Sequence, residues 1–249
     1  MSAEAFQLLS AENADYHENE RFVGVFVKGT PTIDHVGLIY ASATLAAPGV
    51  PSVKETKELH FVTNNLVLNT ALTMNKKYFH APLGLDEINA RSFAAFLTAV
   101  ANKNSGTPPI LYGMDWQGSS GCFDANGNYL NPNEITGLTC AIFISELLSA
   151  RELDAVKVSE WKGDEPQDLF WRAEKLAEYR SRIENKKTKI TLEQVEHMEN
   201  ISPFKRLRPE QIAAATASDY GDWPLAYDHA TELARQLLLE FSKVFDEEV

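Results

Sequence analysis

The chain has 249 residues, 44% of them apolar and 23% charged, with thirteen Phe, eight Tyr and four Trp. That is enough length to bury a core and too much aromatic material for large-scale disorder. A net charge of −12, from 35 acidic against 23 basic residues, excludes a phosphate-backbone reader, which needs clustered Lys and Arg, so no nucleic-acid partner is expected.

In chain order, a short helix is expected near residues 3 to 12. Phe22-Val23-Gly24-Val25-Phe26-Val27 reads as a strand closed by the turn Lys28-Gly29-Thr30-Pro31. A second strand, Val36-Gly37-Leu38-Ile39-Tyr40-Ala41, is entered through Asp34-His35. Lys57-Glu58-Leu59-His60-Phe61-Val62 alternates polar and apolar residues, the period of a half-buried strand. Asp86 caps a helix whose stripe is Ile88, Phe93, Phe96, Leu97 and Val100. Ile110-Leu111-Tyr112-Gly113-Met114 reads as another strand, and Phe123 to Leu130 as a hairpin turning at Asn126-Gly127. A helix from about Thr139 to Arg151 follows Gly137.

Beyond residue 160 the pattern is helical: Glu165 to Lys187, Thr191 to Asn200, Pro209 to Ala217, and a last helix with Ala230, Leu233, Ala234, Leu237, Leu238, Phe241 and Phe245 in register. The reading is an α+β unit over 1–160 and an all-helical extension over 161–249, packed on the first or making contact with a protein partner. The basic stretches Lys186-Lys187-Thr188-Lys189 and Lys205-Arg206-Leu207-Arg208 are short and flanked by acids, so they read as solvated surface.

The N-terminal residues lack the basic and apolar regions of a signal peptide, and no apolar run nears the roughly 20 residues of a membrane span. Cytoplasmic localisation with no transmembrane segment is therefore expected. Two cysteines, Cys122 and Cys140, are too few for a disulfide framework. No CxxC, HExxH, GxxxxGK[ST] or GxGxxG pattern occurs, and neither a metal nor a cofactor is expected.

Chemistry concentrates on one constellation. Thr136-Gly137-Leu138-Thr139-Cys140-Ala141-Ile142 puts Cys140 at a helix start, where backbone N–H groups and the helix dipole favour a thiolate and can hold an oxyanion. A buried cysteine serving as a small hydrophobe is the bland alternative. His35, at the mouth of a strand and followed by Gly37, has the chemistry of a general base. His60 on the next strand can orient it, with Glu58 as the competing orienter on the same face. Tyr112 offers a hydroxyl for the oxyanion, though a packed aromatic is its commoner role. Cys122 lies in a loop without a base nearby, His80 reads as structural, His197 and His229 as solvated helix residues, and His17 as isolated. The Asp115 to Gly121 loop suits a cleft wall or a lid, and Gly118-Ser119-Ser120-Gly121 is not a nucleophile elbow.

The order of a strand opening with His35-Val36-Gly37-Leu38-Ile39, a neighbouring strand with a polar residue, and later a helix opening with Cys140 resembles the circularly permuted papain-like NlpC/P60 superfamily, which includes the lecithin:retinol acyltransferase-like proteins. The resemblance covers roughly residues 20 to 150. It implies an antiparallel sheet packed on helices, with Cys140 as nucleophile, His35 as base and His60 as the polar residue beside it. It also implies a small-molecule, peptide or acyl substrate. The long insert between His60 and Cys140 and the helices after residue 160 depart from that family core. A deubiquitinase-like isopeptidase, and a catalytically inactive papain-like binding module, are the alternatives.

Overall fold

The computed structural model describes residues 9–10, 23–29, 32–43, 54–62, 65–70, 79–104, 110–117, 120–130 and 135–246. The fold is α+β. Six strands, β1 (Leu9–Ser10), β2 (Val23–Gly29), β3 (Ile33–Ala43), β4 (Lys54–Val62), β5 (Asn65–Thr70) and β6 (Phe79–Pro82), form one antiparallel sheet ordered β1-β6-β2-β3-β4-β5. The helices are α1 (Glu87–Asn104), α2 (Cys140–Ser149), α3 (Pro166–Glu184), α4 (Leu192–Asn200), α5 (Pro209–Ala217) and α6 (Tyr227–Asp246).

Strand alternation divides the sheet into two faces. Val25, Val27, Val36, Leu38, Tyr40, Leu59 and Phe61 join the main core with Phe93 and Leu97 of α1, Phe143 and Ile144 of α2, Ile212 and Ala214 of α5, and Leu237 and Phe241 of α6. The cross-strand pairs Phe26↔Gly37, Phe26↔His80, Lys28↔His35 and Ile39↔Glu58 put Lys28, Phe26, His35, Gly37, Ile39, Glu58 and His80 on the other face. Because α5 and α6 share the core of the sheet, that core runs straight across residue 160. A second, smaller core gathers Met114 with Leu176, Tyr179, Ile190, Val195, Met198 and Phe204 under α3 and α4.

Several expected elements change. Leu9–Ser10 is a strand against β6, so the helix expected over 3–12 is absent there, and its other residues lie outside the described ones. The neighbour wins because β6 offers an open ladder. Among the described residues, Ile110 to Met114 pairs as a strand only at an isolated Tyr112↔Leu138 bridge, and Phe123 to Leu130 closes a turn through an isolated Phe123↔Tyr129 bridge. In both, side-chain burial and local turn bonds replace a ladder; Asp124, for instance, accepts from the Asn126 and Asn128 backbone N–H groups at 2.9 and 2.8 Å. The strands β5 and β6 have no counterpart among the sequence expectations.

Candidate functional site

α2 begins where the sequence turns from Gly137-Leu138 into an unbroken apolar run. Thr139 is its N-cap, accepting the Ile142 N–H at 3.2 Å. The approach is narrow. Leu138 donates its N–H to the Leu111 carbonyl at 2.8 Å, and a Cβ on Gly137 would strike the Leu111 oxygen and the Tyr112 carbonyl carbon. Glycine is required there, and the close passage brings Tyr112 beside the first turn of α2.

Cys140 is the first helical residue. The pairing of β3 with β4 starts at Leu38↔Leu59, so residues 33–37 run on past that ladder. In this stretch the Val36 N–H faces the Cys140 sulfur, as does the Ala141 N–H of the helix. The Arg206 guanidinium also favours its anion. Burial outweighs these and the N–H of Cys140 itself, and the thiol is pushed up to about 11. Desolvation of the charge thus opposes the N–H groups that the helix start provides.

His35 and His60 form one unit. Their rings meet through His35 Nε2 and His60 Nδ1 at 2.8 Å, edge to face, with centroids 5.1 Å apart. The Phe26 ring packs against both, at 6.2 and 5.5 Å. Gly37 makes this possible: a Cβ there would lie 2.6 Å from His60 Cβ and collide with the Phe26 ring. Burial lowers both imidazoles to about 4, helped for His35 by the neighbouring His60 and for both by Lys28. Both are neutral at pH 7, so one nitrogen of the shared bond donates and the other accepts. If His35 Nε2–H donates, His35 Nδ1 keeps a lone pair. Nε2 of His60, a residue only 7% exposed, has no hydrogen-bond partner among the described residues. No hydrogen bond joins either histidine to Cys140.

A cavity of about 470 Å³ nevertheless brings His35 and Cys140 to one space, with Tyr112 and Thr139 on its wall. His60 stands behind His35. Glu58, 2% exposed, lies on the same sheet face, and His35 hydrogen-bonds His60. Tyr112 is buried against Tyr179, with ring centroids 5.4 Å apart, and burial drives its phenol well above the ordinary value.

The far wall comes from the C-terminal helices: Trp171, Lys175, Glu178, Tyr179 and Arg182 of α3, and Arg206 before α5. Here the reading of Lys205 to Arg208 as solvated surface is wrong. The Arg206 and Arg208 side chains are 19% and 12% exposed and share Asp168, which is 3% exposed. Half-buried beside Phe204 and Leu207, the two arginines are held by a carboxylate some forty positions earlier, a partner that local charge pattern does not reveal.

The remaining candidates stand apart from this cavity. Cys122 is buried beside Glu146, its sulfur 3.9 Å from the carboxylate, which with burial raises the thiol further. Trp116 of the 115–121 loop is buried against Trp161, and the Gly121 N–H is held by Glu146 at 2.8 Å, so the described part of that loop is anchored away from the cavity. His80 is buried on β6. His197 is half-buried and reaches Asp115 at 3.3 Å instead of facing solvent, and His17 lies outside the described residues. Among the described residues no group of three His, Cys, Asp or Glu side chains could hold a metal, and no helix is long and apolar enough to cross a membrane. No protein-family model, curated protein or solved structure matches the chain.

Proposed function

We propose that the chain is a cysteine hydrolase or acyltransferase with the chemistry of the permuted papain-like NlpC/P60 group. The observation that carries this reading is the convergence of a helix-start thiol and a tethered imidazole on one cavity. The Val36 N–H faces the Cys140 sulfur one residue from His35, and His35 is fixed by His60.

In this reading His35 uses Nδ1, since Nε2 is committed to His60. Thiol and imidazole both rest neutral, so the proton leaves sulfur as the bond to the substrate carbonyl forms. The Cys140–acyl bond forms while the tetrahedral oxyanion is met by backbone N–H groups at the start of α2. The C–N or C–O bond then breaks, and the leaving group takes the proton from His35. Water or an alcohol attacks the thioester, gives its proton to His35, and the thiol is restored. His60 accepts the Nε2–H bond throughout and so favours the imidazolium at the moment it exists.

The test is hydrolysis of small acyl esters and amides, with mass spectrometry of the intact protein to trap the acyl-enzyme. Cys140→Ser is expected to abolish the adduct, and His35→Ala to slow turnover by about 10²–10⁴-fold. Full activity in either variant would sink the proposal. A second reading, a catalytically inactive papain-like binding module, is favoured by the raised thiol and by the lack of a His35–Cys140 hydrogen bond. It predicts no acyl-enzyme with any ester.

A further inference from the structure

The guanidinium of Arg206 is held in an unusual way for a mostly buried cation. Its side chain is 19% exposed, yet it makes one long hydrogen bond, 3.3 Å to Asp168 Oδ1. Asp168 is already taken, because Arg208 grips both of its oxygens at 2.9 and 3.0 Å. The Arg206 plane lies 3.7 Å from the centre of the Trp171 ring, and the Trp161 indole N–H fixes its backbone carbonyl at 2.9 Å. The fork is therefore rigid, stacked, and left with most of its five N–H donors unused beside the cavity that holds Cys140. Those donors stay open to the cavity, where a ligand can take them.

Lys175 and Arg182 both pair with Glu178, at 2.8 and 2.6 Å, which leaves Arg206 as the wall cation not tied to Glu178. Asp168 and Glu210 also act on Arg206, so the geometry of its fork, and not a net charge, selects the ligand. A planar carboxylate fits the guanidinium fork in two parallel N–H···O bonds.

We propose that Arg206 is a specificity residue that binds a free carboxylate on the substrate, so that Cys140 attacks a carbonyl in an acyl compound or peptide carrying a carboxylate close to the scissile bond. This rests on Cys140 being the nucleophile. It assigns the C-terminal helices a role in choosing the substrate, since α3 supplies Trp171 and the segment before α5 supplies Arg206.

Iodoacetate and iodoacetamide test this without knowledge of the substrate, because they differ only in the carboxylate. Both alkylation rates at Cys140 are read by peptide mass spectrometry at one pH, and their ratio is divided by the same ratio for glutathione. The wild type is expected to favour iodoacetate at least tenfold on that scale, and Arg206→Gln to return the ratio to that of glutathione. A wild-type ratio equal to that of glutathione, or a preference that survives Arg206→Gln, overturns the proposal. Should Arg206→Gln fail to fold, protection of wild-type Cys140 against iodoacetamide decides: N-acetylglycine is expected to protect and N-acetylglycinamide not, and equal behaviour of the two overturns it. His35→Ala separates the two readings. If it leaves both alkylation rates unchanged, the base role of His35 fails, while the carboxylate preference is still judged on the ratio.

Discussion

At the scale of the residue, the site depends on an absence. Gly37 stands opposite Phe26 and alongside His60, and the space its missing side chain leaves is where the imidazole pair is assembled. Gly37→Ala would drive a methyl into the Phe26 ring and His60 Cβ, both on well-packed strands that have little room to yield. We expect a loss of about 1–3 kcal/mol from overpacking, measured by urea denaturation. The reaction of Cys140 with iodoacetamide should also lose its dependence on His35, because His60 is pushed off Nε2. An unchanged midpoint with unchanged reactivity would show that the strands part without cost.

At the scale of the element, α2 sets the thiol in place through its first turn. Thr139 accepts the Ile142 N–H at 3.2 Å, and the helix is mostly apolar and buried, with no acidic residue in its first turn to support the dipole. Thr139→Ala is expected to cost about 1 kcal/mol. Thr139→Ser, which keeps the oxygen, should restore most of it; equal losses in both would point to the methyl group and packing. The helical extension acts at the same scale. α3 turns Trp171, Lys175, Glu178, Tyr179 and Arg182 into the cavity at spacings of three and four residues, so a single helix face makes one wall.

At the scale of the molecule, buried titratable groups couple the fold to acid. His35, His60 and His80 are all held at about 4 by burial, below the ordinary 6.5. Between those limits the unfolded chain binds protons that the folded chain refuses, so each histidine supports the fold above pH 6.5 and withdraws that support as the pH falls toward 4. Glu146, raised to about 7, and Glu210, also raised, act in the opposite sense: the folded state holds their protons, and that contribution fades as the pH rises. The three histidines outweigh the two carboxyls, so stability should fall by at least about 1.4 kcal/mol per pH unit between pH 6.5 and 4.5, and a curve that is flat or rises toward acid would contradict the buried neutral histidines.

What the sequence by itself determined follows from local periodicity. The strands around Val23–Val27, Val36–Ala41 and Lys57–Val62, the helix capped by Asp86, the helix starting at Cys140 and the four C-terminal helices are all legible, because each presents its apolar face in its own repeat. So are the candidates His35, His60 and Cys140, which stand at an element's edge or on a face where their type is conspicuous. Only the tertiary structure decided which of them meet. It tied His35 to His60 across the space that Gly37 leaves. It also carried Arg206, from a run that reads as solvated surface, and Trp171, from the helical extension, to the wall of the Cys140 cavity. A guanidinium's burial depends on Asp168, Trp161 and Trp171, which lie 35 to 45 positions away along the chain and adjoin it only once the helices pack. The pKa of the thiol was decided the same way, since the helix start is written locally while desolvation is a property of everything folded around it.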